Sequence, residues 1–379
     1  MEHGGANVVS RRCPGVPKLE KGDFNMPYKV IVWGAGQKGA LAVKEAIEHP
    51  DLELVGVLVF SDAKAGRDAA ELYGGTTPSG IIATQSQERI LSLDADVVIH
   101  ARRREPDPTP MNDEVCAILK SGKNVISISG FIWPWAHGAG LPARLEQACR
   151  EGGASLYGTG IVPGFVGERL AVTLTGLTLR CDGVFMREVF DVTWEVPHKL
   201  FNVIGVGREP GWHDPNSIVA KTQNYYFEEE IHAIAHLLGV KLDKVESVLE
   251  TPLATRDLDL KHGKIAKGTV GAISWSWIGY VEGKPFIHLE NVWWVDEALE
   301  QFQNQEGWQI IVKGDTELKL RLETGERDKI GYQIIGPALR AIPYVCSAPA
   351  GIVRQPAFAP WSPGYKKPSA VVVAGSSSV

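Results

Sequence analysis

Between Tyr28 and Leu156 the chain keeps changing period. Short β-branched runs (KVIVW, LELVGVLVF, ADVVIHA, KNVISIS and, last, ASLYGTG) alternate with segments whose apolar residues recur at helical spacing. Strands that alternate with helices over short loops build right-handed βαβ units, so this half predicts a parallel sheet. After Gly164 the alternation stops. FVGERLAVTLTGL and the long NSIVAKTQNYYFEEEIHAIAHLLG read as helices, the second closed by Gly239. CDGVFMREVFDVTW, VESVLETPLAT, GAISWSWIGYV, PFIHLENVWWV, GWQIIVKG and ELKLRLE read as strands, with hairpin turns at EGKP and KGDT. The fold class expected is α/β: a parallel-sheet domain followed by an α+β domain with an open, mixed and largely antiparallel sheet. The expected boundaries are 1–26 for a flexible extension, 27–157 for the first domain and 158–330 for the second. An apolar segment at 331–354 returns to the first domain, and 355–379 is a Pro/Ser-rich tail.

Composition narrows the function. The 379 residues carry a formal charge of −6, which gives no general attraction for nucleic acid or anionic lipid. No apolar run approaches the ~20 residues of a membrane helix, and the first 26 residues lack the apolar stretch of a signal peptide. Five cysteines lie far apart with no CxxC, as expected of reduced thiols in a cytoplasmic protein.

The stretch VIVWGAGQKGAL puts Gly34, Gly36 and Gly39 at GxGxxG spacing, after a strand and at the opening of a helix. In that context the spacing has a mechanism. Gly34 allows the tight turn, Gly36 lets backbone approach a diphosphate, and Gly39 lets helix and strand pack closely. The amides around Gln37 and Lys38 then face the anion at a helix N-terminus. The end of the second strand chooses between dinucleotides. Asp62 suits the ribose hydroxyls of NAD, whereas Ser61, Lys64 and Arg67 suit the 2′-phosphate of NADP. NADP is the expected cofactor, with NAD possible. Ala101, ending the third strand, joins the expected cofactor contacts.

At GTGIVPGFVGERL the chain resembles a known group. Gly158, Thr159 and Gly160, then Pro163, Gly164 and Phe165, are similar to the dihydrodipicolinate-reductase-like proteins, and within them to the 2,4-diaminopentanoate dehydrogenase and native amine dehydrogenase group. VIVWGAGQKGALAVKEAIEHPDLELVGVLVFSDAKAGRDAAEL and RAIPYVCSAPAGI support the likeness, which runs from about Tyr28 to Val353. It implies an N-terminal Rossmann domain, a C-terminal substrate and dimerisation domain, homodimers, and hydride transfer at a C=N or C–N carbon. Gly158, Gly160 and Pro163 would lie against the cofactor. Two departures stand out. The reductase proper carries His-His-x-x-Lys, whereas TWEVPHKLFN has only His198 beside Lys199, which argues against 4-hydroxy-tetrahydrodipicolinate as substrate. The amine group usually has Asn where this chain has Val162.

Imine or carbonyl reduction calls for a carboxylate or proton donor beside the reacting carbon. Glu105, just past VVIHARRR, matches the acid that the amine dehydrogenase group places after this strand. His100 ends the strand, and His198 and Glu195 share one segment of the second domain; each is a further candidate. Trp133 and Trp135, after the fourth-strand run KNVISIS, and Trp194 are expected to line the substrate pocket. Together with the other tryptophans among the chain's eleven, they predict an apolar ketone or amine, with ammonium as co-substrate. His232 and His236 stand at i, i+4 after FEEE, but no third ligand is evident, so this stretch reads as a solvated helix face. Two other readings stay open: an alcohol or carbonyl oxidoreductase on the same scaffold, and a non-catalytic dinucleotide sensor.

Overall fold

The computed structural model describes residues 26–195, 199–214, 217–296, 299, 302, 305–324, 330–354, 362 and 363. The expectations for His198, for residues 1–25, and for the tail apart from 362 and 363 lie outside the described residues.

The first domain is a βα alternation. It runs β1 (Tyr28–Trp33), α1 (Gln37–Glu48), β2 (Leu52–Leu58), α2 (Gln87–Leu91), β3 (Val97–His100), α3 (Thr109–Lys120), β4 (Asn124–Ser127), α4 (Gly140–Gly152) and β5 (Ser155–Gly158). Side chains alternate along β1. Val30 and Val32 meet α1 on one face, and Ile31 and Trp33 meet α3 and α4 on the other, so both faces are dry.

The chain then enters a wound segment, Ile161–Ala171, that continues into α5 (Val172–Thr175). The sequence reading starts a helix only at Phe165, and the residues before it bear that out. Val162, Pro163 and Gly164 are non-helical, Gly164 with φ 131°, and the helix proper follows them.

The second domain contains β6 (Cys181–Asp191), α6 (Ile218–Leu238), β7 (Lys244–Glu250), the small hairpin β8 (Leu258–Leu260) and β9 (Gly263–Ile265), β10 (Ala272–Val281), β11 (Lys284–Trp294), β12 (Gly307–Gly314) and β13 (Leu318–Leu322). Its sheet has the order β13-β12-β6-β11-β10-β7; only the β6–β11 pair is parallel. The β10–β11 turn uses Glu282 and Gly283 at positive φ, the geometry of a two-residue hairpin. α6 and the Ile161–Ala171 segment pack on one face of this sheet, over Trp275, Trp277, Leu289 and Met186. On the opposite face Ser274 Oγ donates to Glu290 and Arg187 is ion-paired with the same carboxylate, beside a small apolar cluster at Val189 and Val292.

Finally α7 (Ile330–Arg340) and α8 (Ile342–Ser347) pack beside α1 on the first sheet. β14 (Gly351–Ile352) adds a sixth parallel strand, giving the order β14-β5-β4-β3-β1-β2. Strand order reverses between β1 and β3, where open α/β sheets form their ligand crevice.

Candidate active site

Three loops leave the carboxyl ends of β1, β2 and β3 together. Gly34 has φ 100°, donates its N–H to Leu58 O, and packs so closely on the third strand that a Cβ would stand 2.8 Å from Ala101 O. A methyl at Gly39 would collide with the Gly34 carbonyl. Both glycines are thus demanded by the turn itself. Gly36 is different: a Cβ there would meet nothing within 4 Å, and Gly36, Gln37 and Lys38 are exposed. The first turn of α1 contains no acid, and no side chain caps it. With no side-chain cap, the N–H groups of this turn open onto the crevice, as binding a diphosphate requires.

Lys64 crosses from the β2 loop and donates to Ala35 O at 2.6 Å, which sets a cation against the glycine loop. Asp62 faces away and accepts from Gln85. Ser61 is exposed, and its carbonyl turns the chain by accepting from Lys64 N. Arg67 is paired with Glu71 at 2.9 Å on the surface. Phe60, 45% exposed, lies 4.0 Å under the Arg102 guanidinium. The lining of this crevice fits a dinucleotide: amides that no side chain caps, an open backbone face at Gly36, and cations with an aromatic ring beyond.

The loop after β3 carries the remaining charge. Arg102 Nε sits 3.0 Å from Glu114, whose pKa burial raises, and Glu114 also accepts from the Trp33 indole. Arg102 NH2 reaches Glu105 at 3.5 Å, and the Glu105 side chain is 47% exposed. Glu105 is therefore an accessible carboxylate held by one arginine. His100 is the reverse case. It is fully buried, with Nδ1 3.0 Å from Ser127 Oγ, and burial holds its pKa down at about 3, with Arg102 adding to the effect. The ring belongs to the core and is neutral. The reading of His100 as a proton donor is corrected on that ground.

Gly158 and Gly160, after β5, also have packing reasons. A Cβ on Gly158 would collide with the Phe131 backbone, and one on Gly160 would stand 2.8 Å from Pro163 O. Pro163 is buried in the same turn.

The tryptophans expected at the substrate pocket make the following contacts. Trp133 stacks on Trp135 (4.6 Å) and on His236 (4.3 Å), and Arg354 lies 4.9 Å over Trp135. This ladder ties the β4 loop to the C-terminal half of α6 and to the returning segment. Trp194 turns its N–H back to Asp191 O, and Glu195 is buried in the same turn. Nearby, Thr193 and Trp294 line a cavity of about 450 Å³ beside the small hairpin, but Trp194 and Glu195 are not on its wall. Trp275 and Trp277 are core residues stacked on each other.

His236, read as part of a solvated helix face, is exposed and His232 half-buried, but the acids just before them are not solvated. Glu229 and Glu230 are each 1% exposed. Glu229 accepts from Ile132 N at 2.7 Å and Trp133 N at 3.3 Å, and faces His137 Nε2 at 2.9 Å. Glu230 accepts from Gly164 N. Burial, with Glu168 nearby, drives its pKa well up. A signal for this was present: apolar residues recur at helical spacing through IHAIAHLL, so the helix packs on a core and any acid on that side needs a partner.

Comparison with known proteins agrees with the architecture. A family model for the 2,4-diaminopentanoate dehydrogenase C-terminal domain matches residues 165–358, just over half of the chain. An amine dehydrogenase of Streptomyces virginiae is 27% identical over 85% of this chain and 93% of its own length. The 2,4-diaminopentanoate dehydrogenase of Acetoanaerobium sticklandii is 24% identical over 86% and 91%. The amine dehydrogenase structure from Mycobacterium smegmatis superposes with a TM-score of 0.66 at 20% identity, over 86% of this chain and 94% of that one, which supports the shared fold. With its second domain matched throughout, the chain belongs to the family of the 2,4-diaminopentanoate dehydrogenase C-terminal domain.

Proposed function

We propose that this protein is an NAD(P)-dependent dehydrogenase that transfers hydride at a carbon bearing nitrogen, running as reductive amination of a carbonyl compound or as its reverse. The observation that carries the reading is the amide-lined opening at Gly36, set beside the accessible carboxylate of Glu105 in a chain similar to amine dehydrogenases. When bound, the dinucleotide would supply or accept the hydride.

The chain's own residues do the rest. Gly34–Gly39 and the first turn of α1 would hold the diphosphate, with Lys64 adding positive charge. Glu105 would sit beside the reacting carbon. Its negative charge would favour the cationic iminium over the neutral imine, and its oxygen would take a proton from the incoming ammonium. Arg102 holds Glu105 in an ion pair beside the crevice. With Asp62 turned to Gln85 and Lys64 against the loop, NADP is favoured over NAD.

The test is the rate of NADPH and NADH oxidation with a panel of ketones and aldehydes, with and without ammonium. Ammonium-dependent oxidation that is faster with NADPH supports the proposal. Ammonium-independent oxidation would replace it with an alcohol or carbonyl oxidoreductase. No oxidation by any pair, with dinucleotide binding intact, would make the protein a sensor.

A further inference from the structure

The turn that follows β5 hangs from a side chain of the second domain. Phe165 N donates to Gly160 O at 3.0 Å and closes the turn, and Gly164 inside it has φ 131°. Among the described residues, the side chain hydrogen-bonded to the backbone between Gly160 and Gly164 is that of Glu230 on α6, which accepts from Gly164 N. The approach is close. A Cβ on Gly167 would stand 1.8 Å from Glu230 Oε1, so glycine at that position leaves room for the carboxyl at the start of the helix.

The charges around Glu230 decide its state. Glu230 and Glu168 are both buried, and Glu168 is the titratable group that faces Glu230. The cation of the cluster serves Glu168. Arg169 lies 3.8 Å from that carboxylate and donates to Tyr157 Oη at 3.0 Å, and Tyr157 in turn donates to Glu168 at 3.2 Å. Among the described residues no ion pair reaches Glu230, which is held by backbone. Two buried carboxyls thus share one cation, and ionising both would set two like charges side by side away from water. Glu230 is the neutral member of the pair. Burial and the charge of Glu168 push its pKa well up, against the amides of Gly164, Gly167 and Glu168, which pull the other way. A neutral acid still accepts from Gly164 N through its carbonyl oxygen.

The place of the turn in the sheet says what it serves. With the diphosphate at the loop between β1 and α1, a dinucleotide lies with its adenosine half towards β2 and its nicotinamide half towards β4 and β5. The turn leaves the end of β5 and so borders the nicotinamide half. We propose that Glu230, as a neutral acid, is a positioning residue: it holds the Gly160–Gly164 turn from α6 in the shape that fits the nicotinamide half of the dinucleotide. This rests on the dinucleotide reading above. The glycine loop after β1 then holds the diphosphate, and the second domain sets the seat of the reactive ring.

The experiment uses the full chain and two probes in calorimetry: NADPH, and 2′-phospho-ADP-ribose, which lacks only the nicotinamide. Glu230→Leu removes the acceptor and leaves an apolar side chain of similar size; Glu230→Gln keeps a neutral acceptor. Glu230→Leu should bind NADPH about tenfold or more weakly than wild type, and 2′-phospho-ADP-ribose within about twofold. Glu230→Gln should bring NADPH affinity back to within about threefold of wild type. Infrared spectra in D2O at neutral pD report the proton directly: the carbonyl band of a protonated carboxyl should be present in wild type and lose intensity in Glu230→Gln. Equal NADPH affinity in wild type and Glu230→Leu, or equal weakening of both probes, overturns the positioning role. An unchanged carboxyl band, or a Glu230→Gln protein that binds NADPH no better than Glu230→Leu, overturns the neutral acid. If Glu230→Leu does not fold, Glu230→Gln decides alone: affinity within about threefold with the band diminished supports the proposal, and a loss of about tenfold or an intact band overturns it. A wild type that binds neither NADPH nor NADH removes the dinucleotide reading itself, while the infrared comparison still reports the state of Glu230.

Discussion

Glu229 and Glu230 are neighbours on α6, yet each holds a different loop of the dinucleotide domain. Glu229 takes the β4 loop through Ile132 N, Trp133 N and His137, and Glu230 takes the β5 loop through Gly164 N. Those two loops leave the sheet on the side of the crevice where the nicotinamide half of a dinucleotide would lie. One helix of the second domain thus fixes both. Glu229→Ala would strand buried donors, at a cost of about 2–4 kcal/mol. For a chain of this size that predicts a fall of about 3–5 °C in Tm by differential scanning fluorimetry. Glu229→Gln, which keeps an acceptor, should lose less than half as much. A Tm within about 2 °C of wild type for Glu229→Ala would show that the contacts do not carry load.

Glu105 is the accessible acid of the crevice, and its partner Arg102 is secured independently by Glu114. Glu105→Gln should therefore leave the architecture and the dinucleotide site alone while removing the charge that favours an iminium. The expected outcome is a fall in kcat of about 10²-fold or more, with NADPH affinity within about twofold. Unchanged turnover would remove Glu105 from the mechanism.

His100 makes a prediction about pH. Its folded pKa of about 3 lies below the ordinary value of 6.5, so the unfolded chain binds the extra proton first. The stability it contributes is present above about pH 6.5 and is lost as pH falls towards about 3. The buried carboxyls Glu168 and Glu230, both raised, act in the opposite sense and lose stability as pH rises through their folded values. Comparison with His100→Gln cancels their contribution. The gap in urea midpoint between wild type and variant should close as pH falls from about 7 to about 5. Parallel curves would contradict a neutral, buried ring.

The first sheet and the glycine loop were legible because both are local: period-2 runs, helical spacing and GxGxxG occur within a few residues of one another. The hairpins at Glu282–Gly283 and after Gly314 were legible for the same reason. What sequence could not give was direction across the domain boundary. Trp133 is aromatic in either case; only the approach of His236 from α6 shows that its ring is used for packing. The acids of FEEE look solvated until the loops that donate to them are in place. The two-residue β14 carries no periodic signal and exists because the edge of β5 accepts it. Arg104 sits in a run of three arginines that composition cannot separate; Arg102 is paired with Glu114, and Arg104 lies over the rings of Tyr226 and Phe227.

The central claim is that the backbone around Gly36 receives a dinucleotide diphosphate. Gly36 has φ −72°, open to any residue, and its added methyl would meet no protein atom. The most direct test is therefore the NADPH dissociation constant of Gly36→Ala, measured by calorimetry beside its Tm. The account predicts an unchanged Tm, within about 1 °C, with affinity weakened about tenfold or more as the methyl meets the diphosphate. Equal affinity in wild type and variant, or no binding of NADPH or NADH to the wild type, would contradict it.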